Sequence, residues 1–299
     1  MNKQVANYKK PVWLRKRIRL DGSFQRTEEL LKTLNLNTVC QSAQCPNIGE
    51  CFSQETATFM IMGNICTRNC RFCDLKKDIP EEINNKEPDN IVKAVEKLNL
   101  KHVVITSVTR DDLEDHGSGH FAKVLNKLKS FDPSLTLEVL TPDFQGKKEY
   151  LEKVLKASPD VFNHNIETVA SLYKSVRPEA NYQRSLEVLK HAKLYKKDIV
   201  LKSGLMLGLG EKKKEVVDLM KDLANAGVDI LTIGQYLQPS SQHLKVKEYI
   251  SPKNFKELKE IAKELGFNSV VSGVFVRSSF QAKESYQEVI RKRKEHIIQ

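Results

Sequence analysis

TFMIMGNICTRNCRFC, residues 58–73, passes without interruption from an apolar stretch into three cysteines. Thr58–Gly63 has the composition of a short buried strand, and Cys66, Cys70 and Cys73 follow it at C-x3-C-x2-C spacing. In parallel α/β folds the working residues sit just past the C-terminal ends of strands, so a ligand-bearing loop here predicts that this strand opens a series of βα units. Downstream periodicity continues the series, with candidate strands His102–Val108, Leu135–Thr141, Val161–Ile166, Ile199–Leu207 and Ile230–Leu237. Amphipathic helices are expected at Asp89–Leu98, Gly119–Leu128, Lys147–Ala157, Tyr182–Tyr195, Lys212–Ala226 and Pro252–Leu265. Each helix must cross back over the sheet in the right-handed sense. The expected fold class is therefore α/β, a partial parallel (β/α)6 barrel over residues 58–266. An irregular, cysteine-rich N-terminal extension (1–57) precedes it, and a short C-terminal extension (267–299) adds one strand before a charged tail.

All six cysteines precede position 75: Cys40, Cys45 and Cys51, then Cys66, Cys70 and Cys73. An iron–sulfur cube normally takes four protein thiolates, so a local triplet leaves one iron open to something that is not protein. That is a substrate site. Structural zinc prefers paired C-x2-4-C units completing a closed tetrahedron, and neither group supplies them; His102, His116 and His120 stand at no zinc spacing from a cysteine. Zinc binding and a purely structural role are the weaker readings. A disulfide framework needs an oxidising compartment, and the opening stretch MNKQVANYKKPVWLRKRIRL is basic without the apolar centre of a secretory segment. A cytoplasmic location is expected.

With Phe72 ahead of its third cysteine, the triplet resembles that of the radical S-adenosylmethionine enzymes. The upstream spacing Cys40-x4-Cys45-x5-Cys51 and the distant Arg277-Ser278-Ser279 motif extend the resemblance to the lipoyl synthase family across nearly the whole chain. The resemblance implies two [4Fe–4S] clusters, one on Cys66, Cys70 and Cys73 and an auxiliary one on Cys40, Cys45, Cys51 and a serine oxygen. Ser279 is assigned that oxygen, with Ser278 as the fallback. A serine hydroxyl binds only as an iron-stabilised alkoxide helped by nearby positive charge, for which Arg277 is the candidate. Such a ligand is harder and more exchangeable than a thiolate, as suits a cluster that gives up sulfide. The family usually ends this motif with tyrosine; here Phe280 keeps the ring without the hydroxyl.

The implied activity is insertion of two sulfur atoms at C6 and C8 of a protein-bound octanoyl-lysine. A radical from reductively cleaved S-adenosylmethionine removes the hydrogens, and the auxiliary cluster donates sulfur. Implied partners are an octanoylated lipoyl carrier (a dehydrogenase E2 lipoyl domain or the glycine-cleavage H protein), an electron donor and a cluster-repair factor, with neither nucleic acid nor membrane. A methylthiotransferase acting on tRNA is the nearest rival. Its extra cysteines belong to a longer, well-separated N-terminal domain, whereas fourteen residues part Cys51 from Cys66 here. An electron-transfer protein would concentrate eight cysteines in a small domain, and a zinc-stabilised nucleic-acid-binding module would be colourless.

Charge is a weaker guide. A net charge of +11 raises encounter rates with any acidic partner without specifying one, and the runs at Lys9–Arg19 and Arg291–Lys294 read first as solvated faces. With 40% hydrophobic and 29% charged residues the composition is that of a globular protein, and no apolar run is long enough to span a bilayer. The resemblance implies that the polar residues at the expected strand ends, Thr106, Ser107, Asp111, His164, Asn165 and Glu167, hold the cofactor. Asn165 or Glu167 on the ribose is the foremost choice, against the ordinary role of helix cap or turn former. Gly208-Leu209-Gly210 is a weak phosphate-loop signal. Arg177-Pro178 reads either as a carboxylate site or as a helix start.

Overall fold

The computed structural model describes residues 10–15, 22–53 and 57–298. Short β-rich runs form eight strands: β1 (Asn37–Thr38), β2 (Thr58–Ile61), β3 (His102–Ser107), β4 (Thr136–Leu140), β5 (Val161–Asn163), β6 (Val200–Leu207), β7 (Ile230–Gln235) and β8 (Ser269–Gly273). They lie side by side in sequence order in one sheet. From β2 to β8 every pairing is parallel, while β1 joins β2 antiparallel. The helices Glu87–Lys97, Ser118–Phe131, Lys148–Lys156, Tyr182–Tyr195, Lys213–Asn225 and Pro252–Glu264 connect the parallel strands, giving the partial barrel expected from periodicity. The strand foreseen beyond residue 267 is β8, which lengthens the barrel's own sheet by pairing with β7.

Two helix starts follow from capping chemistry. The Asn181 side chain accepts from the Arg184 amide ahead of Tyr182, and Ser251 accepts from the Asn254 amide with Pro252 in the first helical turn. The helix therefore begins at Tyr182, and Arg177 instead closes the short turn Tyr173–Val176. The strand expected as Val161–Ile166 leaves the ladder after Asn163, and the chain reaches positive φ at Glu167.

Strand side chains alternate between two environments. Val103, Ile105, Leu137, Val139, Phe162, Leu201 and Leu231 join the apolar faces of the helices in one continuous core. On the opposite face the interior is polar. Lys202 Nζ lies 2.8 Å from Glu138 Oε1 with both side chains fully buried, and His102 Nε2 is 3.4 Å from Glu138 Oε2. Burial alone would raise the Glu138 pKa, but Lys202 and His102 hold it down to about 2.

Val161, Val200 and Ile230, the first residues of β5, β6 and β7, pack on Val289 of the helix Ala282–Ile298. That helix closes the end of the barrel opposite the cysteine loop. Its basic run is used internally: Arg293 binds Asp229 at 3.0 Å, Lys292 donates to the Asn268 carbonyl, and Arg291 pairs with Glu295. The other run, Lys9–Arg19, lies outside the described residues except for 10–15. No helix among the described residues is long and apolar enough to cross a membrane.

Candidate active site

β2 delivers the triplet loop to the C-terminal mouth of the sheet, and backbone contacts hang it on three neighbours. Thr67 N donates to the Thr109 carbonyl beyond β3 at 3.0 Å, and Arg71 N donates to the Val176 carbonyl at 2.9 Å. His243, beyond β7, meets the Cys73 carbonyl at 3.1 Å. The Thr109 amide points at Cys66 Sγ from 3.4 Å. Inside the loop, Arg68 is buried and bound to Asp111 at 2.6 Å and Asp143 at 2.7 Å. Burial would raise the Asp143 pKa, yet the Arg68 guanidinium holds that carboxyl well below the usual range. Sequence reading passed over Arg68 and Asp143. The available signal was a charged residue enclosed between two closely spaced cysteines, where a solvated side chain is the default expectation.

All six cysteines are free thiols. Burial pushes Cys73 up to about 12 against the opposing Leu75 amide, with added repulsion from Cys70 and Cys66. Cys70 is raised by burial and opposed by Arg177. Cys40 is pushed up to about 12 by burial, opposed by the Thr58 backbone, with Cys45 and Cys51 adding to the rise. Each triplet is therefore one local group whose members sense one another. Metal insertion must displace their protons. Among the described residues no three His, Cys, Asp or Glu side chains converge closely enough for a single metal ion, whereas soft thiolates grouped by threes suit an iron–sulfur cube.

Between the triplets runs a chain of charges. Arg177 Nη1 donates to the Asn165 carbonyl at 3.1 Å and the Tyr173 hydroxyl at 3.2 Å, and Asn165 Nδ2 donates to Glu167 Oε1 at 3.0 Å. Burial raises the Glu167 pKa, with Arg177, Asn165 and Arg277 opposing. Burial lowers that of Arg277, with Cys45 and Glu167 opposing. The Arg277 charge is thus favoured by both Cys45 and the strand-end carboxylate. Two buried atoms here, Asn165 Oδ1 and Arg177 Nε, find no partner within the described protein, which fits a polar ligand carrying both donors and acceptors.

Ser278 and Ser279 lie half-buried in the turn closed by Phe280 N on the Arg277 carbonyl at 2.9 Å. Asn47, between Cys45 and Cys51, donates from Nδ2 to the Phe275 carbonyl at 2.7 Å. Other strand-end candidates serve elsewhere. His164 bridges the Thr141 carbonyl and Ser185 Oγ, because alternation along the strand turns it toward the helices. Thr106 bonds the Leu140 carbonyl, and Asp111 takes Arg68. The Gly208–Glu211 loop satisfies its own amides with the Glu211 carboxylate, as a closed turn and not a phosphate cradle.

A partial parallel barrel with C-x3-C-x2-C thiols at the mouth of its first parallel strand defines a radical S-adenosylmethionine enzyme, and the Radical SAM superfamily matches residues 60–223. The fold is shared with methylornithine synthase (TM-score 0.57, 14% identity, 83% of this chain and 82% of that one). HydG, a maturase of the [FeFe]-hydrogenase, shares it too (TM-score 0.57, 15% identity, 90% and 67%). Within that class the chain belongs to the lipoyl synthase family. It is 55% identical to the lipoyl synthase of Caldicellulosiruptor saccharolyticus over 93% of this chain and 97% of that one. Against the lipoyl synthase of Caldanaerobacter subterraneus subsp. tengcongensis the identity is 54%, over 92% and 96%.

Proposed function

We propose that this chain converts a protein-bound octanoyl-lysine to the dihydrolipoyl form by inserting sulfur at C6 and C8, with an auxiliary [4Fe–4S] cluster as the sulfur source. The observation that carries the reading is the contact between the two cysteine segments: Gln44, between Cys40 and Cys45, donates to the Asp74 carboxylate, next to Cys73, at 2.6 Å. It ties two separate thiol triplets to one mouth of one barrel. When bound, the first cluster and S-adenosylmethionine supply a carbon-centred oxidant able to attack an unactivated C–H bond, chemistry beyond any side-chain acid or base.

Cys66, Cys70 and Cys73 hold the catalytic cluster and leave one coordination position to the cofactor. Cys40, Cys45, Cys51 and the Ser279 oxygen hold the auxiliary cluster, with the Arg277 charge favouring the alkoxide. Glu167 accepts from the ribose hydroxyls and is oriented by Asn165, whose carbonyl in turn fixes Arg177. The rim closed by Arg68, Asp111 and Asp143 keeps the triplet loop rigid while the closed opposite end of the barrel keeps water from entering behind the substrate.

The substrate arrives on an acidic lipoyl carrier domain, which the net charge of +11 favours kinetically. An external electron donor and a factor that rebuilds the spent cluster complete the cycle, in the reducing cytoplasm. A tRNA substrate draws no support from the basic run at Arg291–Lys294, where Lys292 and Arg293 bond the chain's own acceptors. Turnover in unlabelled medium after reconstitution with heavy-isotope sulfide tests the sulfur source. The heavy isotope in the product acyl chain is expected, and light sulfur there would refute the sacrificial role.

A further inference from the structure

The donors assigned to the auxiliary cluster come from opposite ends of the chain, so something other than local sequence must bring them together. Three contacts do so. Asn47 is 2% exposed; its carbonyl accepts from the Cys51 amide at 2.9 Å and its side-chain amide donates to the Phe275 carbonyl at 2.7 Å. One residue thus grips both the helix turn bearing Cys51 and the segment bearing the serines. On the other side, Arg277 Nη1 donates to the Gln235 carbonyl at the end of β7, at 3.3 Å, and to the Val276 carbonyl at 2.7 Å.

The third contact is a missing side chain. Gly234 in β7 has no positive φ, so its backbone does not require glycine. Space does: a Cβ there would stand 2.2 Å from the Val276 carbonyl oxygen and 3.1 Å from its carbon. The clashing atoms are backbone, so a methyl cannot be accommodated by rotating a side chain. It would lift the Val276–Arg277 peptide out of the barrel mouth. Gly273, opposite Gly234 in the ladder, accepts from the Val276 amide at 3.1 Å and completes the seat.

We infer that Gly234 and Asn47 are positioning residues that hold the Arg277-Ser278-Ser279 segment against Cys40, Cys45 and Cys51 before any cluster is inserted. The inference rests on the serine-ligand reading proposed above and adds the device that makes it work. A ligand set split across the chain must otherwise be closed at each assembly against loop entropy. A preformed seat removes that cost each time the consumed cluster is rebuilt.

The test uses the full chain with Gly234→Ala and, separately, Asn47→Asp, which removes the donor at equal size. In the metal-free protein, amide hydrogen exchange at Val274–Phe280 should quicken at least tenfold in either variant while β4 and β6 exchange as in the parent. After reconstitution, iron should fall from about eight atoms per chain toward about four, with 5′-deoxyadenosine still formed. Parental exchange in Asn47→Asp, or equal loss of iron from both triplets, would overturn the inference, and Asn47→Asp decides the matter if Gly234→Ala does not fold. Ser279→Ala and Ser278→Ala separate the two readings. If neither alters the auxiliary cluster spectrum, the serine ligand is wrong, while the exchange result still reports on the seat.

Discussion

Arg68, enclosed between Cys66 and Cys70, reaches out of the loop to Asp143 at 2.7 Å, and Asp143 is fully buried. Asp143 also takes Arg184 at 2.7 Å from the helix Tyr182–Tyr195. The triplet loop is thus anchored to a neighbouring βα connection by a charge pair that cannot hydrate. Removing Arg68 leaves the buried Asp143 carboxylate with Arg184 alone, a loss approaching the about 3–5 kcal/mol of a broken buried pair. Arg68→Met should lower the thermal midpoint markedly and reduce iron on the catalytic triplet before the auxiliary one. An unchanged midpoint in calorimetry would show that the pair is not structural.

Acid should attack the barrel interior. Glu138 has its pKa held down to about 2 in the folded chain, against about 4.3 when unfolded. A depressed folded pKa gives stability that is present above the unfolded value and is lost as pH falls through the folded one. Glu138 therefore contributes fully at neutral pH and progressively less between about pH 4.3 and about 2. Lys202→Met should destabilise by about 3–5 kcal/mol, and the double variant Glu138→Leu with Lys202→Met should recover much of that. Denaturant titrations of Lys202→Met, Glu138→Leu and the double variant check the pattern. A double variant as unstable as the two losses combined would contradict it.

The two triplets should fail differently. Cys66→Ala should abolish 5′-deoxyadenosine formation, whereas Cys45→Ala should keep cofactor cleavage and end sulfur insertion. Chromatography of the nucleoside alongside mass analysis of the acyl chain reads both. Equal loss of cleavage in the two variants, with the remaining cluster intact, would remove the division of labour.

Glu167 should govern cofactor affinity. Loss of a charge-assisted hydrogen bond of about 1.5–3 kcal/mol weakens S-adenosylmethionine binding by about 10- to 100-fold in Glu167→Gln. Iron content should stay the same. Equilibrium binding to the reconstituted protein measures it, and parental affinity would move the ribose contact elsewhere.

Much of this was legible in the chain. Period-two and helical patterns placed every strand from β2 to β7 within a few residues, because strands buried between helices and a packed interior have little compositional freedom. The cysteine spacing and the serine motif carried the class and the family. Arg68, Asp143, Lys202 and Glu138 were not legible, since charged residues are expected at the surface and only the fold reveals their partners. His164 was misplaced for a related reason: the residue at a strand end is visible in sequence, but the face it turns to depends on where the strand stops. Asn47 and Gly234 were invisible because their importance lies in contacts with residues 275 and 276, remote in the chain.

The most direct measurement is mass spectrometry of an octanoylated carrier peptide after incubation with the anaerobically reconstituted protein, S-adenosylmethionine and a reductant. A peptide heavier by two sulfur atoms is expected, the hydrogens taken from C6 and C8 being matched by one on each new thiol, with 5′-deoxyadenosine formed alongside. Deoxyadenosine released while the peptide stays sulfur-free would contradict it.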